Sequence, residues 1–233
     1  MLPVVLLAGG IATRMRPLTE KIPKSMLEIA DRPFIAHQLC LLKNKGIEHV
    51  ILCVGYFGEM IESYLNANGA FGLKIIFSYD GNTLLGTGGA IKNIGDKLPD
   101  NFFVLYGDSY LDIDYKKVEE AYYQSGKKAL MTVYKNEGKW DTSNVAFNNN
   151  EIVSYNKKNK TKAMNYIDYG LGILNKQTFD NHNESVFDLA CIYEQLVVEK
   201  QLFGYEVFER FYEIGSKEGL KELEDIINCR NRE

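Results

Sequence analysis

Apolar positions along this chain fall into two alternating rhythms, short unbroken runs and longer stretches that return every three to four residues. Val4, Val5, Leu6 and Leu7 form an unbroken run that closes on Gly9 and Gly10, the pattern of a buried parallel strand ending in a sharp turn. Pro33 then opens a stretch in which Ile35, Leu39 and Leu42 share one helical face, and Gly46 stands where that helix must stop. A strand over 50–54, a helix carrying Met60, Ile61, Tyr64 and Leu65, and a strand over 73–79 follow. The loop DGNTLLGTGG leads into a further helix, and Phe102 to Tyr106 runs apolar up to Gly107, Asp108 and Ser109. Beyond it the rhythm shortens. Strands are expected over 129–134 and 152–155, with the asparagines at 148–150 forming a turn and the polar stretch 156–162 a loop. Strand and helix in alternation predict an α/β fold with a mixed, mostly parallel central sheet.

Size and charge narrow this picture. At 233 residues and 26.5 kDa, the chain is expected to form a single domain over 1–233. A net charge of −4 and a pI near 5.6 argue against a general nucleic-acid or membrane-surface binder, which needs an excess of Lys and Arg. Cys40, Cys53, Cys191 and Cys229 are widely spaced and form no CxxC pair, as expected of reduced thiols in the cytoplasm. No apolar run is long enough to span a bilayer, and MLPVVLLAGG lacks the basic start of a signal peptide.

The chemistry concentrates after the first strand. Gly9 and Gly10 free backbone amides, and Arg14, Arg16, Lys21 and Lys24 follow closely, so amide donors and fixed cations gather on one loop. That combination suits a polyphosphate. The spacing of GGIATR differs from the GxGxxG of a dinucleotide-binding dehydrogenase. His37, His49 and His182 are isolated, and no cysteine or serine nucleophile is arranged with a base.

Residues 4–30 resemble the signature LAGGxGTRLxPLTxxxPKPM of the sugar-1-phosphate nucleotidyltransferases: Leu7 to Gly10, Thr13, Arg14, Pro17 to Thr19, Pro23, Lys24 and Met26 all match. Ala12 stands in place of a glycine and Ser25 in place of a proline. A left-handed φ at Ala12 would cost about 1 kcal/mol. The resemblance extends, less strongly, to 84–91 and 106–109, and it is weak beyond 150.

It implies a Rossmann-like three-layer αβα nucleotidyltransferase fold. It also implies transfer of a nucleoside monophosphate from a nucleoside triphosphate to a sugar 1-phosphate, releasing pyrophosphate, with Mg2+ as cofactor. Arg14 would hold the β- and γ-phosphates, Lys24 would bridge the α-phosphate and the acceptor, and Asp108 in YGDS would bind magnesium. Leu7, Ala8, Gly9, Gly10 and Thr13 would form the phosphate loop. Gly86, Thr87 and Gly88 of LLGTGGAI would let backbone approach the base, with Asp80 upstream either accepting from a base amino group or closing a DG turn. Glu213 in FYEIGS aligns with a metal aspartate and would ligate directly or through water. Lys157 in SYNKKN aligns with the cation for the acceptor phosphate, although Tyr155 and Asn156 depart from the family's EKP element. Asp168 and Gly170 fall beside the sugar. Such products feed cell-envelope polysaccharide in relatives. A cytidylyltransferase for a phosphate such as phosphocholine shares the opening motif, and a nucleotide-binding regulator without turnover is a further alternative. The sequence leaves the base, the sugar and the oligomeric state open, a homo-oligomer included.

Overall fold

The computed structural model describes residues 1–230. In chain order its elements are β1 (Val4–Leu7), β2 (Glu28–Ile29), β3 (Arg32–Pro33), α1 (Phe34–Asn44), β4 (His49–Val54), α2 (Gly58–Ala67), β5 (Lys74–Tyr79), α3 (Gly86–Lys92), β6 (Asn101–Tyr106) and β7 (Ser109–Tyr110). There follow α4 (Tyr115–Ser125), β8 (Ala129–Lys135), β9 (Val145–Asn148), β10 (Glu151–Tyr155), β11 (Tyr166–Asn175), α5 (Ala190–Val198), β12 (Leu202–Val207), β13 (Tyr212–Glu213) and α6 (Lys217–Arg230).

The period-two alternation of strands sorts the core into two layers. Val4 and Leu6 of β1, Val50 and Leu52 of β4, and Phe103 and Leu105 of β6 pack with Leu39 and Leu42 of α1, Ile61 of α2 and Tyr115 of α4. Their sequence neighbours Val5, Ile51, Cys53, Phe102 and Val104 face the other way, onto Ile91 of α3 and Ile192 and Leu196 of α5. Helices therefore cover both sides of one sheet, giving three αβα layers. Local signals agree: Pro33 caps α1, and Gly46, at φ +86°, ends it in a conformation that a side chain would disfavour.

The main sheet has nine strands in the order β5-β4-β1-β6-β11-β8-β12-β10-β9. It is mixed, as the sequence predicts, but its parallel character is concentrated in the first half. Strands β5, β4, β1 and β6 are mutually parallel, whereas β11 runs antiparallel to both β6 and β8 and the far edge is an antiparallel β10–β9 hairpin. Only β12 against β8 restores a parallel pair there. Helices α4 and α5 still connect strands there, but β11 inserts antiparallel between β6 and β8 and a short turn joins β9 to β10, so the run of adjacent parallel strands stops at β6.

Outside the sheet, α6 packs Leu223 and Ile227 on Ile29, Phe34, Leu41 and Tyr110. This brings β13 against the short β7 in antiparallel register, Glu213 opposite Ser109. Among the described residues no helix is long and apolar enough to cross a membrane.

Gly107 joins β6 to β7 where the chain passes closely over the end of β1. Its amide donates to the Leu7 carbonyl at 2.9 Å, and a Cβ placed on it would lie 2.4 Å from that same oxygen. Gly10, by contrast, has open space where a Cβ would stand. Gly107→Ala is expected to destabilise the protein by about 1–3 kcal/mol through overpacking. Gly10→Ala should leave thermal unfolding close to wild type, and equal melting of the two variants would contradict this packing.

Candidate active site

The carboxyl ends of β5, β4, β1 and β6 open onto one cavity of about 330 Å3. It is lined by Leu7, Ala8, Gly9, Gly10, Ala12, Lys24 and Ser25 from the first loop, by Asp80, Leu84, Gly86, Thr87 and Ala90 from the β5–α3 segment, by Cys53 of β4, and by Tyr106, Gly107 and Asp108 at the end of β6. A crevice beyond the carboxyl ends of parallel strands is where an open α/β sheet holds its ligand.

The first loop leaves β1 with the Ala8 amide bonded to the Cys53 carbonyl at 2.8 Å. Ala12 has φ 52° and ψ 48°, so a non-glycine residue occupies the left-handed region at the head of a 3-10 turn over Thr13–Met15. The buried Thr19 hydroxyl donates to the Ala12 carbonyl at 2.9 Å and helps hold that bend. Ser25, in place of the family's proline, lies in a second 3-10 turn, is 3 % exposed, and has a buried hydroxyl without a partner. Burial restrains this turn where proline would have fixed its φ. Arg14 and Thr13 are exposed and lie outside the cavity wall, with Arg14 close enough for its charge to act on Glu213.

Lys24 Nζ pairs with Asp108 Oδ2 at 2.7 Å, their side chains 15 % and 32 % exposed. The register of β13 on β7 sets Glu213 beside them, and the Ile214 amide donates to the Asp108 carbonyl at 3.0 Å. Burial first, and then the Asp108 charge, raise the Glu213 carboxyl above its ordinary value, while Lys24 and Arg14 pull it down. Two carboxylates and one lysine thus share a small volume. That donor set fits magnesium, which takes one or two carboxylates and completes its shell from phosphates and water.

At the base side, Asp80 follows β5 and sits over the turns at Gly9 and Gly55. A Cβ on either glycine would lie 3.2 Å from Asp80 Oδ2, which accepts from the Leu85 amide at 3.3 Å. Burial raises the Asp80 carboxyl, with the Leu85 amide opposing. Gly86 and Thr87 reach the cavity, but Gly88 does not. The glycine cluster begins α3 itself instead of preceding it. A Cβ on Gly88 would strike the Phe187 ring at 2.2 Å and one on Gly89 the Ser185 carbonyl at 2.3 Å, while both amides donate to the Phe187 carbonyl. The expected approach of this backbone to a ligand is therefore corrected at Gly88, where smallness admits the chain segment 185–187.

Behind Tyr106 lies a second polar group that does not line the cavity. Lys157 Nζ is 3.4 Å from the Tyr106 hydroxyl and 3.4 Å from Asp188 Oδ1, and it stands over the Tyr106 ring at 5.3 Å. Asp168 accepts from the Tyr155 hydroxyl at 3.3 Å and the Gly170 amide at 3.1 Å. Burial raises its carboxyl, against the lowering influence of Lys157. Gly170 has φ +97° within a bulge of β11 and faces Ser109, so its glycine answers backbone geometry and the neighbour of Asp108. Sequence reasoning missed Asp188, Tyr106 and Gly55. Only Gly55, a glycine directly after an apolar run, carried a readable signal.

An αβα sheet whose strand ends gather a glycine loop, a lysine and paired carboxylates defines a nucleotide-handling protein. The pattern of the nucleotidyl transferase family matches residues 3–223, and the chain belongs to that family. It is 33 % identical over 178 residues to a D-glycero-alpha-D-manno-heptose 1-phosphate guanylyltransferase of Campylobacter jejuni, covering 76 % of this chain and 77 % of that protein. It is 31 % identical over 222 residues to a mannose-1-phosphate guanyltransferase of Saccharomyces cerevisiae, covering 91 % of this chain but 60 % of the yeast protein. The chain spans about 58 % of the length of the Drosophila melanogaster mannose-1-phosphate guanylyltransferase catalytic subunit beta that it also matches. Among solved structures, HddC from Yersinia pseudotuberculosis complexed with GMP-PN superposes with a TM-score of 0.81 at 25 % identity, over 97 % of this chain and 100 % of that one.

The raised Glu213 carboxyl has a consequence for stability. Its folded-state pKa lies above the unfolded value, so the fold favours the protonated form. The resulting cost is present at pH values above the folded pKa and vanishes below the ordinary value of 4.5, where both states are protonated. Glu213→Gln is therefore expected to melt above wild type at pH 8 in the presence of a metal chelator, with the gap closing toward pH 4. A variant that melts at or below wild type at pH 8 would show that Glu213 is not held under this penalty.

Proposed function

We propose that this chain transfers GMP from GTP to a sugar 1-phosphate, forming a GDP-sugar and releasing pyrophosphate. The observation that carries the reading is the joining of the Gly9–Gly10 loop, the Lys24–Asp108 pair and Asp80 on one cavity. The guanylyl activities named for the relatives from Campylobacter and Saccharomyces support the choice of base. Asp80 supports it independently, because a carboxylate only accepts hydrogen bonds and guanine presents an amino group and a ring N–H together.

On this reading an oxygen of the acceptor phosphate attacks the α-phosphorus, a new P–O bond forms, and the bond to the β-phosphate oxygen breaks. The electron pair leaves on pyrophosphate, and no side chain has to remove a proton from an already ionised phosphate. Catalysis then consists of alignment and charge neutralisation. The amides of Gly9 and Gly10 face the triphosphate, and Lys24 spans the α-phosphate and the incoming one. Arg14, exposed at the mouth, closes on the leaving pyrophosphate with a fork that stays charged. Asp108 and Glu213 would hold magnesium, whose chemistry here is to neutralise the phosphate oxygens. Lys157 and Asp168 address the acceptor. We further place the reaction in the cytoplasm, where triphosphate is made, with its product directed to cell-envelope polysaccharide.

GTP with magnesium should raise the melting temperature by about 5 °C or more at saturating concentration, and ATP, CTP and UTP by less. Pyrophosphate release should require a sugar 1-phosphate, with mannose and heptose 1-phosphates as the first acceptors to assay. No release across an acceptor panel would refute the transferase reading. Asp108→Asn should lower turnover about 100-fold or more while the protein remains folded.

A further inference from the structure

Asp188 is the one carboxylate beside Lys157 that no sequence motif singled out, and its backbone belongs to a segment fastened to the nucleotide side of the molecule. The Phe187 amide donates to the Leu85 carbonyl at 3.0 Å, and the Phe187 carbonyl accepts from Gly88 at 3.0 Å and Gly89 at 3.2 Å. Two residues further on, the Leu189 amide donates to the Thr87 hydroxyl at 2.8 Å. Residues 185–189 therefore form a strap laid along the first turn of α3, with Phe187 filling the space that Gly88 leaves open. Asp188 projects from this strap with one oxygen engaged twice: Oδ1 accepts from the Ala190 amide at 2.8 Å, at the start of α5, and from Lys157 Nζ at 3.4 Å.

The pair is about half exposed, at 35 % for Lys157 and 54 % for Asp188, so by itself it adds little stability. Its effect is on placement. Lys157 arises from the polar loop after β10, where the Asn156 amide donates to the Asn144 carbonyl and the Asn156 side-chain oxygen accepts from the Lys158 and Asn159 amides. A flexible four-carbon side chain on such a loop needs an external partner to keep its ammonium beside Tyr106, a residue of the cavity wall. Charge is the second consequence. Asp188 pairs with the Lys157 ammonium, whose other contact is the Tyr106 hydroxyl, and Asp168, bonded to the Tyr155 hydroxyl, lies near enough to feel the Lys157 charge. This region welcomes hydroxyl donors and repels a further carboxylate.

We infer that Asp188 is a positioning and specificity-determining residue: it holds Lys157 for the acceptor from a strap anchored on the nucleotide helix, and it restricts the acceptor to glycosyl phosphates whose sugar carries no carboxylate. This rests on the proposed transferase reading. A uronic acid 1-phosphate brings its extra anion next to Asp168 and Asp188, whereas a neutral hexose or heptose offers only hydroxyls.

The test is Asp188→Asn. Asparagine accepts the Ala190 amide as well as aspartate does, so the start of α5 is kept while the charge is lost. The variant should melt within about 2 °C of wild type, a shift smaller than 1 kcal/mol gives in a domain of this size. Its KM for a neutral sugar 1-phosphate should rise about tenfold, with the KM for GTP within about twofold. Wild type should prefer the neutral acceptor over its uronic acid counterpart by about 100-fold, and the variant should narrow that preference about tenfold. Asp188→Glu, which retains the charge, should recover most of the acceptor KM. Unchanged acceptor KM and unchanged discrimination in a folded Asp188→Asn protein would overturn the proposal, as would an equal rise in the KM for both substrates. GTP binding by melting shift, read on the same proteins, separates the two failures: a wild type that binds GTP but releases no pyrophosphate refutes the transferase reading, not the strap.

Discussion

Four parallel strands, β5, β4, β1 and β6, finish side by side at one edge of the sheet, and the site depends on how the backbone leaves that edge. Hydrogen-bonded parallel neighbours lie so close that a chain turning away from one must pass over the turn of the next. Glycine solves this after three of the four strands. Gly9 follows β1, Gly55 follows β4 and Gly107 follows β6, each with backbone where a Cβ would point. Where the turns can stack this tightly, the residues next to them, Asp80 after β5 and Asp108 after β6, are delivered to the same cavity. The two carboxylates come from elements 28 residues apart in sequence, and the sheet brings them together.

The charges gathered there constrain one another. Lys24 neutralises Asp108 directly, and Glu213, brought in by the β13–β7 pairing, is raised by its burial and by the same Asp108. On the proposed reading, an anion that drew Lys24 away by itself would leave Asp108 facing Glu213 with only the exposed Arg14 to offset their charge. Coulomb repulsion between carboxylates in a half-buried place opposes that state. On that same reading, a divalent cation arriving with the triphosphate would relieve the repulsion.

Most of the fold was legible because its first half obeys simple rules. Apolar runs gave β1, β4, β5 and β6 nearly to the residue, Pro33 and Gly46 bounded α1, and the strand-end position of Asp108 pointed to the ligand edge. The antiparallel half was less legible. Strands β9 and β13 are too short to carry a period, and the direction of β11 depends on which neighbours it finds. The glycine motif at 86–89 was recognised and its physical reason was not, because the reason lies 100 residues away at Phe187. Asp188 was invisible for the same cause. Nothing in the local sequence FDLA says that its carboxylate will meet a lysine from another loop.

The strap also explains why half of a motif of small residues turns away from the cavity that the other half lines. If Gly88 and Gly89 served only to admit a base, the Cβ positions would face the cavity; they face Phe187 and Ser185 instead. Their lack of side chains lets residues 185–189 lie against α3, and this contact sets the distance between the base side of the cavity and the polar group around Lys157. Main-chain hydrogen bonds fix the strap to α3, and the Asp188–Lys157 side-chain pair carries that anchorage to the polar group, a span that the proposed two-substrate reaction would need held constant. An in-line displacement of the proposed kind tolerates little error in that span, so the backbone anchorage of the strap matters to the side-chain pair it carries.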